Sequence, residues 1–138
     1  MPSQRSWSAR KPRCSSRSSH STRSAHRLID AFLAGDAAVA APLLAPAATF
    51  HSPIRDYTGI SQIEAVWRAV SGVVTDAQPM SVHERDGETI AFFADAIRNT
   101  RVDGVLRALA DESDRITDVT LMLRPWAALK AGLADIAI

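Results

Sequence analysis

The stretch MSVHERDGETIAFFADAI, residues 80–97, decides how this chain folds. Two runs able to form strands, 80–85 and 89–97, flank Asp86, Gly87 and Glu88. Asp-Gly between such runs is a strong hairpin signal, because a tight turn there needs residues that tolerate positive φ. The pattern continues downstream. GVLRALA (104–110) and ITDVTLMLR (116–124) read as two more strands around the turn DESDR (111–115), and RNTRVDG (98–104) reads as the reversal between the two hairpins. Pro125 stops the last strand, and WAALKAGLADI (126–136) reads as a short terminal helix. Strands joined by such short connections predict an antiparallel meander.

Upstream the period changes from two to that of a helix. Leu28, Ile29, Phe32 and Leu33 fall on one face of a helix that ends at Gly35. Asp36 is placed to cap a second helix over AAVAAPLLA (37–45), in which Val39, Leu43 and Leu44 share a stripe and Pro42 predicts a kink. ATFHS (48–52) reads as a strand stopped by Pro53. Beyond Gly59, ISQIEAVWRAVSGV (60–73) is an amphipathic helix presenting Ile60, Ile63, Val66, Trp67 and Val70. Helices gathered ahead of a meander predict an α+β domain with an antiparallel sheet curled around three helices and a short C-terminal helix.

Composition narrows the function classes. Residues 1–27 carry seven Arg and Lys and no acid, whereas residues 28–138 hold the other nine basic residues against all fifteen acids, a balance of −6. An acidic body is ill suited to a nucleic-acid backbone, which is bound by clustered cations. Residues 1–24 are Ser- and Arg-rich with almost no aliphatic side chains, so a disordered tail is expected there and the folded domain is placed at 25–138. Cys14 is the single cysteine, so neither an intrachain disulfide nor a Cys-based metal site is expected, and a reducing, cytoplasmic setting fits. No His, Asp and Glu cluster has metal-ligand spacing, so no metal or other cofactor is expected. No apolar run reaches 18 residues, and no membrane span is expected.

FLAGD (32–36), ATFHSP (48–53) followed by GISQI (59–63), and RITDVTLMLRPWAAL (115–129) occur in this order over most of the chain. Together they resemble the nuclear transport factor 2-like superfamily in its SnoaL-like branch. The resemblance implies a cone: a curved sheet and three helices around an apolar pocket, with pairing of two copies through the outer sheet face. It also implies a pocket lined by Leu28, Phe32, Ser52, Trp67, Leu106, Val119 and Leu123, suited to a small apolar molecule. In that family a ketosteroid isomerase uses a carboxylate base, a tyrosine and a protonated acid, but Ser52, Leu28 and Leu106 stand at those positions here. A limonene-type epoxide hydrolase uses two aspartates and an arginine, and of these only Asp95 remains, with Phe93 and Leu121 at the other two positions.

Two groups remain as chemical candidates. Asp95 is the lone charge in TIAFFADAI. On the inner face it would be a buried carboxylate able to act as a general base, and it is the catalytic candidate of a lyase, isomerase or hydrolase acting on a lipid- or polyketide-like substrate. On the outer face, the plainer placement, it would be an ordinary surface charge. FHSPIRDYTGI (50–60) brings His51, Ser52 and Asp56 together in sequence as a nominal triad. Alternation along a strand sends His51 and Ser52 to opposite faces, which predicts that they do not meet. Ser52 then either faces the pocket or satisfies backbone groups at the strand end.

Overall fold

The computed structural model describes residues 23–71, 77–97 and 99–133. The expected tail therefore lies outside the described residues up to Thr22, and helix α1 (Arg23–Leu33) starts two residues ahead of the expected domain boundary. Helix α2 (Ala37–Ala40) follows, with the Asp36 carboxylate accepting from the Val39 amide at 3.2 Å. The expected longer helix stops there. Pro42 lies in a 3₁₀ turn (Ala41–Leu43), and Leu44 already begins strand β1 (Leu44–His51), because proline supplies no amide hydrogen to continue an α-helical ladder.

The chain then forms β2 (Asp56–Thr58), α3 (Ile60–Ser71), β3 (Gln78–Arg85), β4 (Glu88–Ile97), β5 (Thr100–Ala110), β6 (Ile116–Arg124) and α4 (Trp126–Leu133). The β3–β4 turn is the one the sequence announces. Asp86 (φ 45°) and Gly87 (φ 82°) both take positive φ, as a two-residue hairpin of this hand requires. The β4–β5 reversal is tighter than expected: Asn99 turns the chain (φ 65°) and Thr100 is already in β5.

The six strands form one curved, unclosed sheet in the order β2-β1-β6-β5-β4-β3. The meander β3–β6 is antiparallel as expected. The wholly antiparallel sheet is not: β1 runs parallel to β6, with Phe50 opposite Val119 and His51 opposite Thr120. The chain enters β1 from the helices and reaches β6 only after the whole meander, so no local signal reports this pairing. Strand β2, not among the expected strands, folds back on β1 and sets Asp56 opposite His51.

Burial divides the sheet into two faces. Thr89, Ala91, Phe93, Asp95 and Ile97 of β4 point inward, as do Val102, Leu106 and Ala108 of β5 and Val119 and Leu121 of β6. Helices α1 and α3 fill the concavity with Ala25, Leu28, Ile29, Ile63, Val66 and Trp67. The rings of Phe32 and Phe50 each meet Trp67 edge to face at 5.5 Å between centroids, and Phe50 stacks on Tyr57 at 6.1 Å. Ala128 and Leu129 of α4 cover Ile97 and Val102 at one end of the sheet. Across the sheet, the amide and hydroxyl of Ser24 donate to Asp114 Oδ2 at 3.3 and 2.9 Å, tying the start of α1 to the β5–β6 turn.

Candidate functional site

A cavity opens between the helices and the concave face where three pieces of chain converge. The end of α1 and the turn after it contribute Phe32, Leu33, Gly35, Asp36 and Ala37; the last turns of α3 contribute Trp67, Val70 and Ser71; the sheet contributes Phe93, Asp95, Leu121 and Leu123. It leaves about 30 Å³ for the centres of water-sized molecules, within about 500 Å³ of empty space that includes the open mouth. The helical contribution follows from spacing, since Ile63, Trp67 and Val70 recur at i, i+4 and i+7 on one face of α3.

Gly104 gives the sheet wall its shape. It lies between Phe93 on β4 and Leu123 on β6 in one cross-strand row. With no side chain at Gly104, the Phe93 ring lies flat over the β5 backbone: a Cβ there would stand 2.3 Å from Phe93 Cζ. A strand glycine of this kind marks a close approach, and here the approaching group is an aromatic ring of the cavity wall.

Asp95 sits two residues beyond Phe93, opposite Val102, and is only 6% exposed. The plainer expectation, an outward carboxylate, is therefore corrected: the residue faces the cavity. Adjacent phenylalanines hid its direction. Phe92 points out and Phe93 points in, so β4 is apolar on both faces and alternation does not say which one is buried. Asp95 Oδ1 accepts from the Ala96 amide at 2.8 Å. Trp67 lines the same cavity, and its buried indole Nε1–H meets no acceptor among the described residues.

Comparison with known proteins agrees with this geometry. No protein-family model matches the chain, and no curated protein sequence does. Solved structures do. An uncharacterised bacterial protein with a cystatin-like fold from Silicibacter pomeroyi superposes with a TM-score of 0.76 at 20% identity, over 82% of each chain. A steroid delta-isomerase from Pseudomonas aeruginosa gives 0.74 at 21% identity, over 84% of this chain and 90% of its own. A nuclear transport factor 2-like protein of unknown function from Cytophaga hutchinsonii gives 0.65 at 13% identity, over 79% and 95%. The chain has the nuclear transport factor 2-like fold. At these identities the likeness carries the fold alone, and the site is argued from its own residues.

Within this nuclear transport factor 2-like cone, Phe32, Trp67 and Leu123 line the cavity. Leu28, Leu106 and Val119 do not: each is fully buried in the core beneath it. Ser52 is away from the cavity altogether. Its Oγ donates to the Arg55 carbonyl at 2.7 Å and accepts from the Ile54 and Arg55 amides at 3.1 and 3.0 Å, so the hydroxyl closes the β1–β2 turn. Leu33, Val70, Phe93 and Leu121 line the cavity although the sequence did not single them out for it. Val70 was legible as part of the α3 stripe, whereas Phe93 needed the facing of β4.

His51 and Ser52 do not meet, as alternation predicts, but His51 and Asp56 do. On the outer sheet face His51 Nδ1 lies 2.9 Å from Asp56 Oδ1, and Nε2 lies 3.1 Å from Asp118 Oδ2. A carboxylate at each ring nitrogen favours the doubly protonated ring. The bond to Asp56, then that to Asp118, raises the His51 pKa above its ordinary value of 6.5. This is a charge clamp joining β1, β2 and β6, and the Ser52 hydroxyl beside it is engaged in its own turn. Among the described residues no group of His, Cys, Asp and Glu is arranged to hold a metal ion, and no helix is long and apolar enough to cross a membrane.

Proposed function

We propose that the cone takes up a small, largely apolar molecule between α1, α3 and the concave face of the sheet. The observation that carries this reading is the cavity wall: Phe32, Leu33, Trp67, Val70, Phe93, Leu121 and Leu123 surround a space with one buried carboxylate, Asp95. Apolar walls with few polar groups are the usual make-up of small-molecule sites. The neutral dye N-phenyl-1-naphthylamine tests it. Saturable uptake at one site per chain is expected, weakened at least tenfold by Val70→Trp, which sets an indole in the cleft in place of the small valine side chain. No saturable uptake, or uptake indifferent to that variant, overturns the reading.

The inward facing of Asp95 favours a second reading: a lyase, isomerase or hydrolase on a lipid- or polyketide-like substrate, with Asp95 as the base. A positioned base contributes roughly 10²–10⁴-fold in rate. Exchange of the α-protons of acetophenone into D₂O, followed by NMR, then falls by about that factor in Asp95→Asn. An unchanged exchange rate removes the base and this reading with it.

The outer face supports pairing of two copies. Phe92, Val105 and Met122 form one cross-strand row there, and Phe92 is 43% and Met122 53% exposed. Apolar surface gathered in this way marks association. Sedimentation velocity is expected to show a dimer that the double variant Phe92→Glu, Met122→Glu converts to monomer; a monomeric parent chain overturns this.

A further inference from the structure

The Trp67 Nε1–H has a use that packing leaves unexplained. Trp67 is 2% exposed, and its ring is fixed by edge-to-face contacts with Phe32 on one element and Phe50 on another. A buried indole usually finds a hydrogen-bond partner, because a dry, unpaired donor forfeits the hydrogen bond it made to water. This one has none among the described residues. The two edge-to-face contacts hold the ring in place. The donor thus stays unpaired in a side chain that lines the cavity together with Asp95.

We propose that Trp67 is the specificity-determining donor of this site, and that the ligand presents a hydrogen-bond acceptor oxygen, such as a carbonyl or ether, to its Nε1–H. The inference rests on the cavity being a ligand site and adds the polar feature that the ligand must carry. The free space suits a polar tip: about 30 Å³ is open to the centres of water-sized molecules, beside the apolar side chains of Leu33, Val70 and Leu123. An acceptor oxygen entering there meets a donor already oriented and desolvated, so the free-state cost is already present in the empty protein.

Acetophenone and ethylbenzene, alike in shape and differing by one carbonyl oxygen, form the test pair. Their affinity ratio is measured by NMR titration in the parent chain, in Trp67→Phe, and in a chain with 3-benzothienylalanine at position 67, which keeps the bicyclic ring and removes only the N–H. The ratio is expected to shift against acetophenone roughly three- to tenfold in both substituted chains. In the parent chain the Trp67 indole proton is expected to move downfield with acetophenone and not with ethylbenzene. A ratio unchanged by 3-benzothienylalanine overturns the inference while leaving the cavity a ligand site; this is also the result if an ordered water permanently occupies the donor. Binding of neither compound overturns the cavity reading and this inference together.

Discussion

The two faces of the same sheet use similar residues to opposite ends. Phe92 and Phe93 are neighbours in β4, yet Phe93 is 2% exposed over Gly104 and Phe92 is 43% exposed beside Val105 and Met122. The carboxylates divide in the same way. Asp95, on the inner face, is enclosed by the cavity wall, whereas Asp118, on the outer face, is bonded to His51 in the open. Residue type therefore says little about role on this sheet. What decides it is the parity of the position, which fixes whether a side chain meets the helices or the solvent.

The sharpest way to break this comparison is to truncate the two phenylalanines separately. Phe93→Ala removes a ring packed against the β5 backbone and the cavity wall, and a loss of about 3–5 kcal/mol is expected in denaturant unfolding. Phe92→Ala, at a concentration where the chain is monomeric, is expected to cost less than about 1 kcal/mol, in the range of surface substitutions. Equal losses would mean that the outer face is as tightly packed as the inner one.

Gly104→Ala sharpens the same contrast from the neighbouring strand. The added methyl would stand 2.3 Å from Phe93 Cζ and 2.7 Å from Cε1, so the ring must leave its place over β5. Overpacking of this kind costs about 1–3 kcal/mol. The added strain is also expected to alter uptake of N-phenyl-1-naphthylamine, since the displaced ring belongs to the cavity wall. The double variant Gly104→Ala, Phe93→Leu is expected to recover most of the loss; no recovery would place the strain in the β5 backbone instead.

These particular residues also show how far the sequence was legible. Local chemistry was readable: Asp86-Gly87 announced the β3–β4 turn, ITDVTLMLR matched β6 residue for residue, and the α3 stripe placed Trp67 and Val70 inside. Non-local pairing was not. The parallel contact of β1 with β6 joins segments about seventy residues apart, and nothing in ATFHS names its partner. Gly104 stood where the expected reversal (98–104) meets the expected strand (104–110), and nothing there told that its small size serves the Phe93 ring well inside β5. Ser52 shows the limit of a positional resemblance. The resemblance implied a pocket-facing place for it, yet the hydroxyl's backbone partners two and three residues away claim it for the turn.

The smallest expected effect lies on the outer face and concerns His51. Its pKa is raised in the folded chain by Asp56 and Asp118, so the protonated ring binds its proton more tightly folded than unfolded. The stabilisation is then fully present below the ordinary pKa of 6.5 and is lost as pH rises through the higher folded value. With the side chain 37% exposed, solvent screens the pair, and the whole contribution is expected to stay under about 1 kcal/mol. The measurement is the difference in unfolding free energy between the parent chain and His51→Gln at several pH values from 5 to 8.5. That difference should shrink as pH rises, and Asp56→Asn should reduce its pH dependence more than Asp118→Asn, because the bond to Asp56 is the larger cause of the shift. A difference that is flat with pH would mean that the ring is held by geometry alone, and the outer face would then have no charge clamp to set against the buried carboxylate of the inner one.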